Sequence, residues 1–416
     1  MIVGKEKELD IDGGIISMSI KVVPELAPNV YYVGVEDWDR RIFDALIPLP
    51  LGTSYNAYLI VGKEKTALVD TVQRNFSGDL LAKIRQIVDP SKIDYVIMNH
   101  AEPDHAGSIP EVLAAAPNAK LVVSKLGADM ANIFHNVPAE RAQIVKEGDT
   151  LDLGGKTLRF IDAPWLHWPE TMFTYLVEDK ILLPCDFFGA HMAKNKLYDD
   201  EVSEVLLPDA KRYYAEIMMP FPVAIQRALD KVKALDIKMI APSHGPIYRN
   251  PKRILDAYEM WARGPLKPKV VLMYVTMWGS TEALEKTIAE SIAAEGVEVV
   301  PYNLLVSDIS HVMMDLVDAS AIVIGAPTVL NGAHPVALTA TLIIRALKPR
   351  AKLAAVFGSY GWGRGAVKMI SESLQQAGFE ITETLEVRGP PKKEDREKAI
   401  SLGKHVAQKV KESTEI

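Results

Sequence analysis

From Lys269 onward, apolar strand-like runs and amphipathic helix-like runs alternate without a break. VVLMYV is followed by the helical EALEKTIAESIAAEG, and VEVVPYNL by DLVDASAIVIGAP, which starts as helix and ends as strand. ALTATLIIRAL reads as helix, LAAVFGSY as strand, AVKMISESLQQAG as helix, ITETLEV as strand and EDREKAISLGKHVAQKVKE as a closing helix. Five strands alternating with helices over about 150 residues specify a doubly wound parallel sheet.

The first half has another rhythm. NAYLIVGKEKTALVD, LDLGGKTLRFIDAP and MFTYLVEDKILLPCDFF each place two β-rich runs around a short turn, which is a hairpin pattern. Between them lie the amphipathic DLLAKIRQIV, the strand DYVIMNH, the helical IPEVLAAAPNA and the strand KLVVS. Hairpins interleaved with helices predict a sheet sandwich flanked by helices. Gly-Pro and Lys-Pro in ARGPLKPKVV punctuate the change of rhythm, dividing the chain into residues 1–265 and 266–416. A length of 416 residues independently favours two domains.

Bulk properties exclude several classes. With 48% hydrophobic and 24% charged residues the chain has the composition of a soluble globular protein. A net charge of -7 argues against nucleic acid as the main partner. No apolar run approaches the roughly 18–20 residues that cross a bilayer. The acidic opening MIVGKEKELDIDGG lacks the apolar centre of an export signal, so a cytoplasmic protein is expected. Cys185 is the single cysteine, which rules out an internal disulfide and any CxxC pair for rubredoxin-type iron or iron–sulfur clusters.

Three strand ends in the second half carry polar or glycine-rich loops: TMWGST (Thr276 to Thr281), the Pro327-Thr328 turn of IVIGAPTVLNGAHP, and Gly358 to Gly365 in VFGSYGWGRG. Open α/β sheets bind ligands beyond the C-terminal ends of their strands, and a Ser/Thr loop leading into a helix suits a phosphate. The first loop matches neither GxGxxG nor a P-loop. Taken alone it reads as well as ordinary N-cap chemistry, and the bland reading of the three loops is that their glycines merely form turns and Trp362 is a surface aromatic. Together, the three loops with Trp278 and Trp362 suit a phosphate joined to a flat ring. This half resembles flavodoxin over nearly its whole length. The resemblance implies FMN held by Thr276, Met277, Trp278, Gly279, Ser280 and Thr281, by Pro327, Thr328, Val329, Leu330 and Asn331, and by Ser359, Tyr360, Gly361, Trp362 and Gly363.

In the first half, NHAEPDHAGS packs His100, Glu102, Asp104 and His105 into six positions after an apolar strand. Four such groups are costly to bury without cations between them. Alternation aims His100 and Glu102 at one ion and Asp104 and His105 at a neighbour. His167, Asp186 and His244 each close an apolar run and begin a loop, and a carboxylate such as Asp186 can bridge two ions. His135, His191, His311, His334 and His405 stay outside this set.

The set resembles the metallo-β-lactamase fold, whose usual loop is HxHxDH, with Glu102 in place of the second histidine. Carboxylate enrichment favours harder, redox-active iron over zinc. Such a domain followed by a flavodoxin-like one resembles the flavodiiron proteins across essentially the full chain. The fold this implies is an α+β metallo-β-lactamase-like αββα sandwich followed by an α/β flavodoxin-like doubly wound parallel sheet. By position, His100, Glu102 and His167 would ligate the iron nearer the flavin, Asp104, His105 and His244 the other, and Asp186 would bridge them. The resemblance implies two non-haem irons per subunit and FMN. It also implies reduction of O2 to water, of NO to N2O, or both. A head-to-tail homodimer would bring the flavin of one subunit to the iron of the other, with a dimer of dimers as a larger assembly. With no cysteine pair for a fused rubredoxin, the electron donor is expected to be a separate rubredoxin, or else a reduced deazaflavin coenzyme. Two rival readings differ in chemistry: a zinc hydrolase or thioesterase with a regulatory flavodoxin-like domain, and an electron carrier with structural metals. Beside the ligand positions, Cys185 is expected to be a small buried hydrophobe. Trp168 either lines the pocket or packs, and His191 either orients a ligand or supplies a proton.

Overall fold

The computed structural model describes residues 10–11, 14–15, 23–202 and 204–414. Most of the acidic opening stretch, on which the export argument rests, lies outside the described residues. Two sheets form the middle of the first domain. The first has seven strands in reverse chain order across the sheet: Ala142–Ile144, Lys120–Val123, Tyr95–Ile97, Thr66–Val69, Tyr58–Val61, Val30–Tyr32 and Glu25–Ala27. The second runs in chain order: Thr150–Asp152, Thr157–Asp162, Met172–Leu176, Ile181–Leu183 and Met239–Ile240. The hairpins expected from the sequence form as antiparallel pairs, with Val61 opposite Thr66, Asp152 opposite Thr157 and Leu176 opposite Ile181.

Side-chain alternation explains the layering. Tyr58, Ile60, Ala67, Val69, Ile97 and Val122 face the second sheet, meeting Leu158, Phe160, Met172, Leu176 and Leu183 in a buried apolar core. Their neighbours Leu59, Leu68, Val96 and Leu121 point the other way, against Leu80, Ile84 and Val112 on the covering helices. Phe173, Tyr175 and Leu182 do the same on the second sheet, under the helices Leu206–Tyr213, Pro222–Lys233 and Pro251–Arg263. The result is an αββα sandwich.

The helix Pro251–Arg263 ends the first domain's fold, and the next strand begins at Lys267. The second domain has a parallel sheet in the order Glu298–Asn303, Lys267–Tyr274, Ala319–Val329, Leu353–Tyr360, Glu380–Arg388. The chain leaves its first strand for one edge and returns past it for the third, creating a switch point between Lys267–Tyr274 and Ala319–Val329. A short strand, Gly332–Ala333, folds back on the end of the third.

The domains share a core. Met313, Val317 and Leu347 of the second pack with Tyr214, Ile217 and Trp261 of the first. Beside this patch Asp318 accepts Lys211 from the first domain at 2.8 Å, and Lys267 and Lys269 of its own at 3.0 and 2.5 Å. Burial opposes the charged carboxylate, but its bonds to Lys211 and Lys269 outweigh that and hold it well below the usual carboxylate range. Among the described residues no helix is long and apolar enough to cross a membrane.

Asp318→Asn should destabilise the protein by about 2 kcal/mol, between the values for exposed and buried pairs. A depressed carboxylate contributes stability above its unfolded pKa and loses it as pH falls through the folded value. Urea unfolding should therefore show a gap between variant and parent at neutral pH that closes below about pH 4. An unchanged midpoint at pH 7 would refute the role given to Asp318.

Candidate metal centre and flavin cradle

Three strands pointing the same way end at one edge of the sandwich: Thr157–Asp162, Ile181–Leu183 and Met239–Ile240. His167, Asp186 and His244 lie in the loops that follow them, and the loop after Tyr95–Ile97 reaches the same edge. That loop does not stay extended, because Pro103–Ala106 closes one helical turn, with proline at its first position. Glu102 thus lies before the turn, while Asp104 and His105 lie on it.

The seven residues fall into two groups that meet at Asp186. His100, Glu102, His167 and Asp186 make one, and Asp104, His105 and His244 the other. Glu102 Oε2 is 3.1 Å from His100 Nε2 and 3.0 Å from His167 Nε2. Asp104 Oδ2 lies 3.2 Å from His244 Nε2, and Oδ1 lies 3.4 Å from His105 Nε2. Asp186 divides its oxygens. Its Oδ2 faces His100 and His167 at 3.5 and 3.4 Å, and its Oδ1 faces His105 and His244 at 2.8 and 3.5 Å. Neither oxygen of Asp104, though buried, accepts a hydrogen bond, and His105 Nε2, which faces Asp104 and Asp186, makes none either. Unsatisfied lone pairs converging from carboxylates and imidazoles are what a cation site requires.

An outer layer sets the ring orientations. His100 Nδ1 sits 2.7 Å from Glu170 Oε1, which also accepts the Ala101 N–H at 2.9 Å. His244 Nδ1 lies 2.6 Å from the Ser54 carbonyl, so its Nε2 is presented inward. Tyr213 donates its hydroxyl to Asp186 Oδ1 at 2.9 Å. Under the loop, Asp70 accepts the backbone and side-chain N–H groups of Asn99 at 2.8 and 3.0 Å, and Thr174 donates to Asn99 Oδ1 at 2.8 Å. Sequence reasoning missed Glu170, Ser54, Thr53, Tyr213 and Asp70. Only Glu170, three residues past His167, carried a signal.

The side residues also find places. Cys185 is buried, and burial pushes its thiol well up, as for an inert hydrophobe. Trp168 packs edge-on against His100, with ring centres 5.0 Å apart. His191 lies against both His244 and Tyr213 at 4.8 Å, with Nδ1 3.0 Å from Thr53 Oγ1.

In the second domain the three loops converge beyond the switch point. Thr276, Met277, Trp278, Ser280, Thr281, Pro327, Thr328, Ser359, Tyr360 and Gly361 line a notch of about 160 Å³. Gly389, which the sequence did not flag, joins them. Gly279, Val329, Leu330, Asn331, Trp362 and Gly363 are not in its lining. Gly279 takes the left-handed backbone (φ 84) that turns the loop into the helix Ser280–Ala294, and its N–H donates to Thr276 Oγ1 at 3.1 Å. Leu330 and Trp362 stand on the rim, 91% and 81% exposed. The Thr281 and Ser359 hydroxyls bond at 2.9 Å, tying the first loop to the third.

Electrostatics distinguish the metal-free centre. Burial disfavours the His100 imidazolium, but Glu102 and Glu170 outweigh it and carry its pKa up to about 10. His105 rises to about 9 and His167 to about 10, burial again being overcome, by Asp104 and Asp186 for His105 and by Asp186 and Glu102 for His167. Such raised values favour imidazolium forms of these three rings, paired with the carboxylates, when no cation is bound. Loading the centre with divalent cations at pH 7 should release about three protons per chain, measurable as the buffer dependence of the binding heat. Raised imidazole pKa values contribute stability that is whole below about pH 6.5 and lost as pH passes 9 to 10. The metal-free form should therefore weaken across that range. Binding heat independent of buffer would contradict this charge state.

A family model described as "ODP family beta lactamase" matches residues 53–245, and one for flavodoxin matches residues 272–403. A nitric oxide reductase of Moorella thermoacetica is 40% identical over 395 residues, covering 92% of this chain and 98% of that one. The structure of a rubredoxin oxygen:oxidoreductase from Desulfovibrio gigas superposes with a TM-score of 0.92 at 32% identity, covering 95% of this chain and 100% of that one. The flavodiiron protein of Giardia intestinalis gives 0.91 at 31% identity, over 94% and 98% of the two chains. With both domains, their order and nearly the full length matched, this chain belongs to the flavodiiron proteins and is an oxidoreductase of that family.

Proposed function

We propose that the chain reduces O2 to water, NO to N2O, or both, at two non-haem irons fed with electrons through FMN. His100, Glu102 and His167 would hold one iron, Asp104, His105 and His244 the other, and Asp186 would bridge them. The observation that carries this reading is the division of the Asp186 oxygens between two imidazole groups, a geometry suited to a carboxylate shared by two cations. The names of the similar proteins, one a nitric oxide reductase and one an oxygen oxidoreductase, support both gases.

Residues 1–265 would form the metal-bearing domain and 266–416 the flavin-bearing one. When bound, the irons supply open positions for a diatomic gas and the flavin supplies electrons singly. Glu170 and the Ser54 carbonyl hold His100 and His244 with Nε2 inward, so that little reorganisation accompanies a change in metal charge. Tyr213 donates to the shared carboxylate and moderates its charge. In the second domain the hydroxyls of Thr276, Ser280, Thr281 and Ser359 would take the FMN phosphate. The flavin ring would lie at the mouth of the notch, beside Trp278, which lines it, and the exposed Trp362 of the third loop. A head-to-tail homodimer, or a dimer of such dimers, would bring flavin and iron of different subunits together. Rubredoxin is the first choice of donor and a reduced deazaflavin coenzyme the second.

Metal analysis of protein purified without oxygen or added metal should find about two irons per chain. Purified protein with reduced rubredoxin should then consume O2 or NO. Zinc in place of iron, reproduced from iron-replete cells, would overturn the reading in favour of a hydrolase. Thr281→Val should weaken FMN binding about tenfold, the worth of one hydrogen bond, seen by fluorescence titration.

A further inference from the structure

Glu216 lies in the π-helical stretch Tyr214–Met218 that extends the helix Leu206–Tyr213. This stretch packs against the helix Ile309–Leu316 of the second domain, at the seam between the two. Glu216 is buried, and neither of its carboxyl oxygens has a hydrogen-bond partner. On the preceding turns Arg212 Nη2 donates to Asp209 Oδ1 at 2.6 Å. Both residues are buried as well, and Arg212 Nε and Asp209 Oδ2 are again without partners. Nearer the metal centre, His191 Nε2 is a further buried atom with none. The charge of Arg212 is felt at both Glu216 and His191, and Tyr213, on the same helix, already bonds Asp186.

Unpartnered polar atoms thus recur from the domain seam to the shared carboxylate. Each such atom costs about 1–3 kcal/mol if left dry, and ordered water is the usual remedy at polar buried sites. Local π-helix is also frequent where a protein does chemistry. Either gas reaction consumes protons at a buried place: O2 takes four with four electrons to give two waters, and two NO take two with two electrons to give N2O and water.

We propose that Glu216, backed by Asp209 and Arg212, is a proton reservoir that serves the metal centre through ordered water passing Tyr213 and His191. This rests on the gas-reductase reading above. The Glu216 O–H bond breaks and its proton passes to the first water. Each water in the file accepts one proton and releases another, and the last proton reaches the gas as the external donor's electrons reduce it. The Glu216 carboxylate then takes a replacement proton from solvent at the seam. Neither Tyr213 nor His191 needs to change its charge. Burial raises the Glu216 carboxyl well above its ordinary range against the pull of Arg212, with Asp209 and, from the second domain, Asp308 adding to the rise. Burial likewise lifts Asp209 to about 7 although Arg212 opposes it. Burial without a hydrogen-bond partner thus favours the protonated form of Glu216.

Glu216→Gln keeps the shape and removes the exchangeable acid. Infrared spectra of the metal-free protein at pH 7 should contain protonated-carboxyl C=O absorption that loses intensity in this variant. In the loaded enzyme kcat for gas reduction should fall about tenfold or more, with KM, iron content and flavin reduction by the donor unchanged and the solvent isotope effect increased. Glu216→Asp should restore part of the rate. If Glu216→Gln does not fold, Asp209→Asn is read by the same kinetics. Turnover of Glu216→Gln within twofold of the parent between about pH 6 and 9, or spectra identical in that band, overturns the proposal. A parent enzyme that reduces neither gas sinks the underlying reading instead, and is recognised without any variant.

Discussion

Asp186 is the residue on which the arrangement turns. A single buried carboxylate presents one oxygen to His100 and His167 and the other to His105 and His244. For that to happen, three strand ends must arrive at one edge, and the backbone must turn sharply after Ile181–Leu183. Cys185, immediately before Asp186, accordingly takes a left-handed conformation (φ 51). Three carboxylates and four imidazoles gathered in a largely buried space would repel or strand one another unless protons or cations lay between them. The carboxylates of the centre can be balanced either by protons on the imidazoles or by cations held between carboxylates and neutral imidazoles.

Support for this centre comes from outside its own loops. Glu170 and the Ser54 carbonyl hold two rings, Asp70 and Asn99 lock the base of the long loop, and Tyr213 reaches in from a covering helix. That helix continues to the seam where Met313 and Val317 of the second domain complete the first domain's outer core. The metal-bearing and flavin-bearing domains are therefore packed, not merely tethered, and Asp318 links cations from both. The same helix contacts the metal centre at Tyr213 and the domain seam at Glu216, and so physically connects the two.

Much of this was readable in advance, for identifiable reasons. Hairpins and β–α alternation follow from periods of hydrophobicity that local sequence carries. NHAEPDHAGS stood out because ligand types crowd one strand end, where side chains converge. The loops that line the notch were readable as strand ends bearing hydroxyls and glycine, but which of their residues line it was less so. Val329, Leu330, Asn331, Trp362 and Gly363 belong to those loops yet do not line the notch: a backfolded strand turns at Leu330, and Leu330 and Trp362 are exposed. Gly389 does line it, reached from the end of the last strand.

The amino-acid sequence by itself determined the two fold classes, their order and the residue types available at each strand end, since these depend on periodicity and on chemistry local to a few positions. Only the tertiary structure decided which groups meet. It alone brings Tyr213 to Asp186, Glu170 to His100 and Lys211 to Asp318, because these contacts join residues far apart in the chain, whose meeting depends on how whole layers pack.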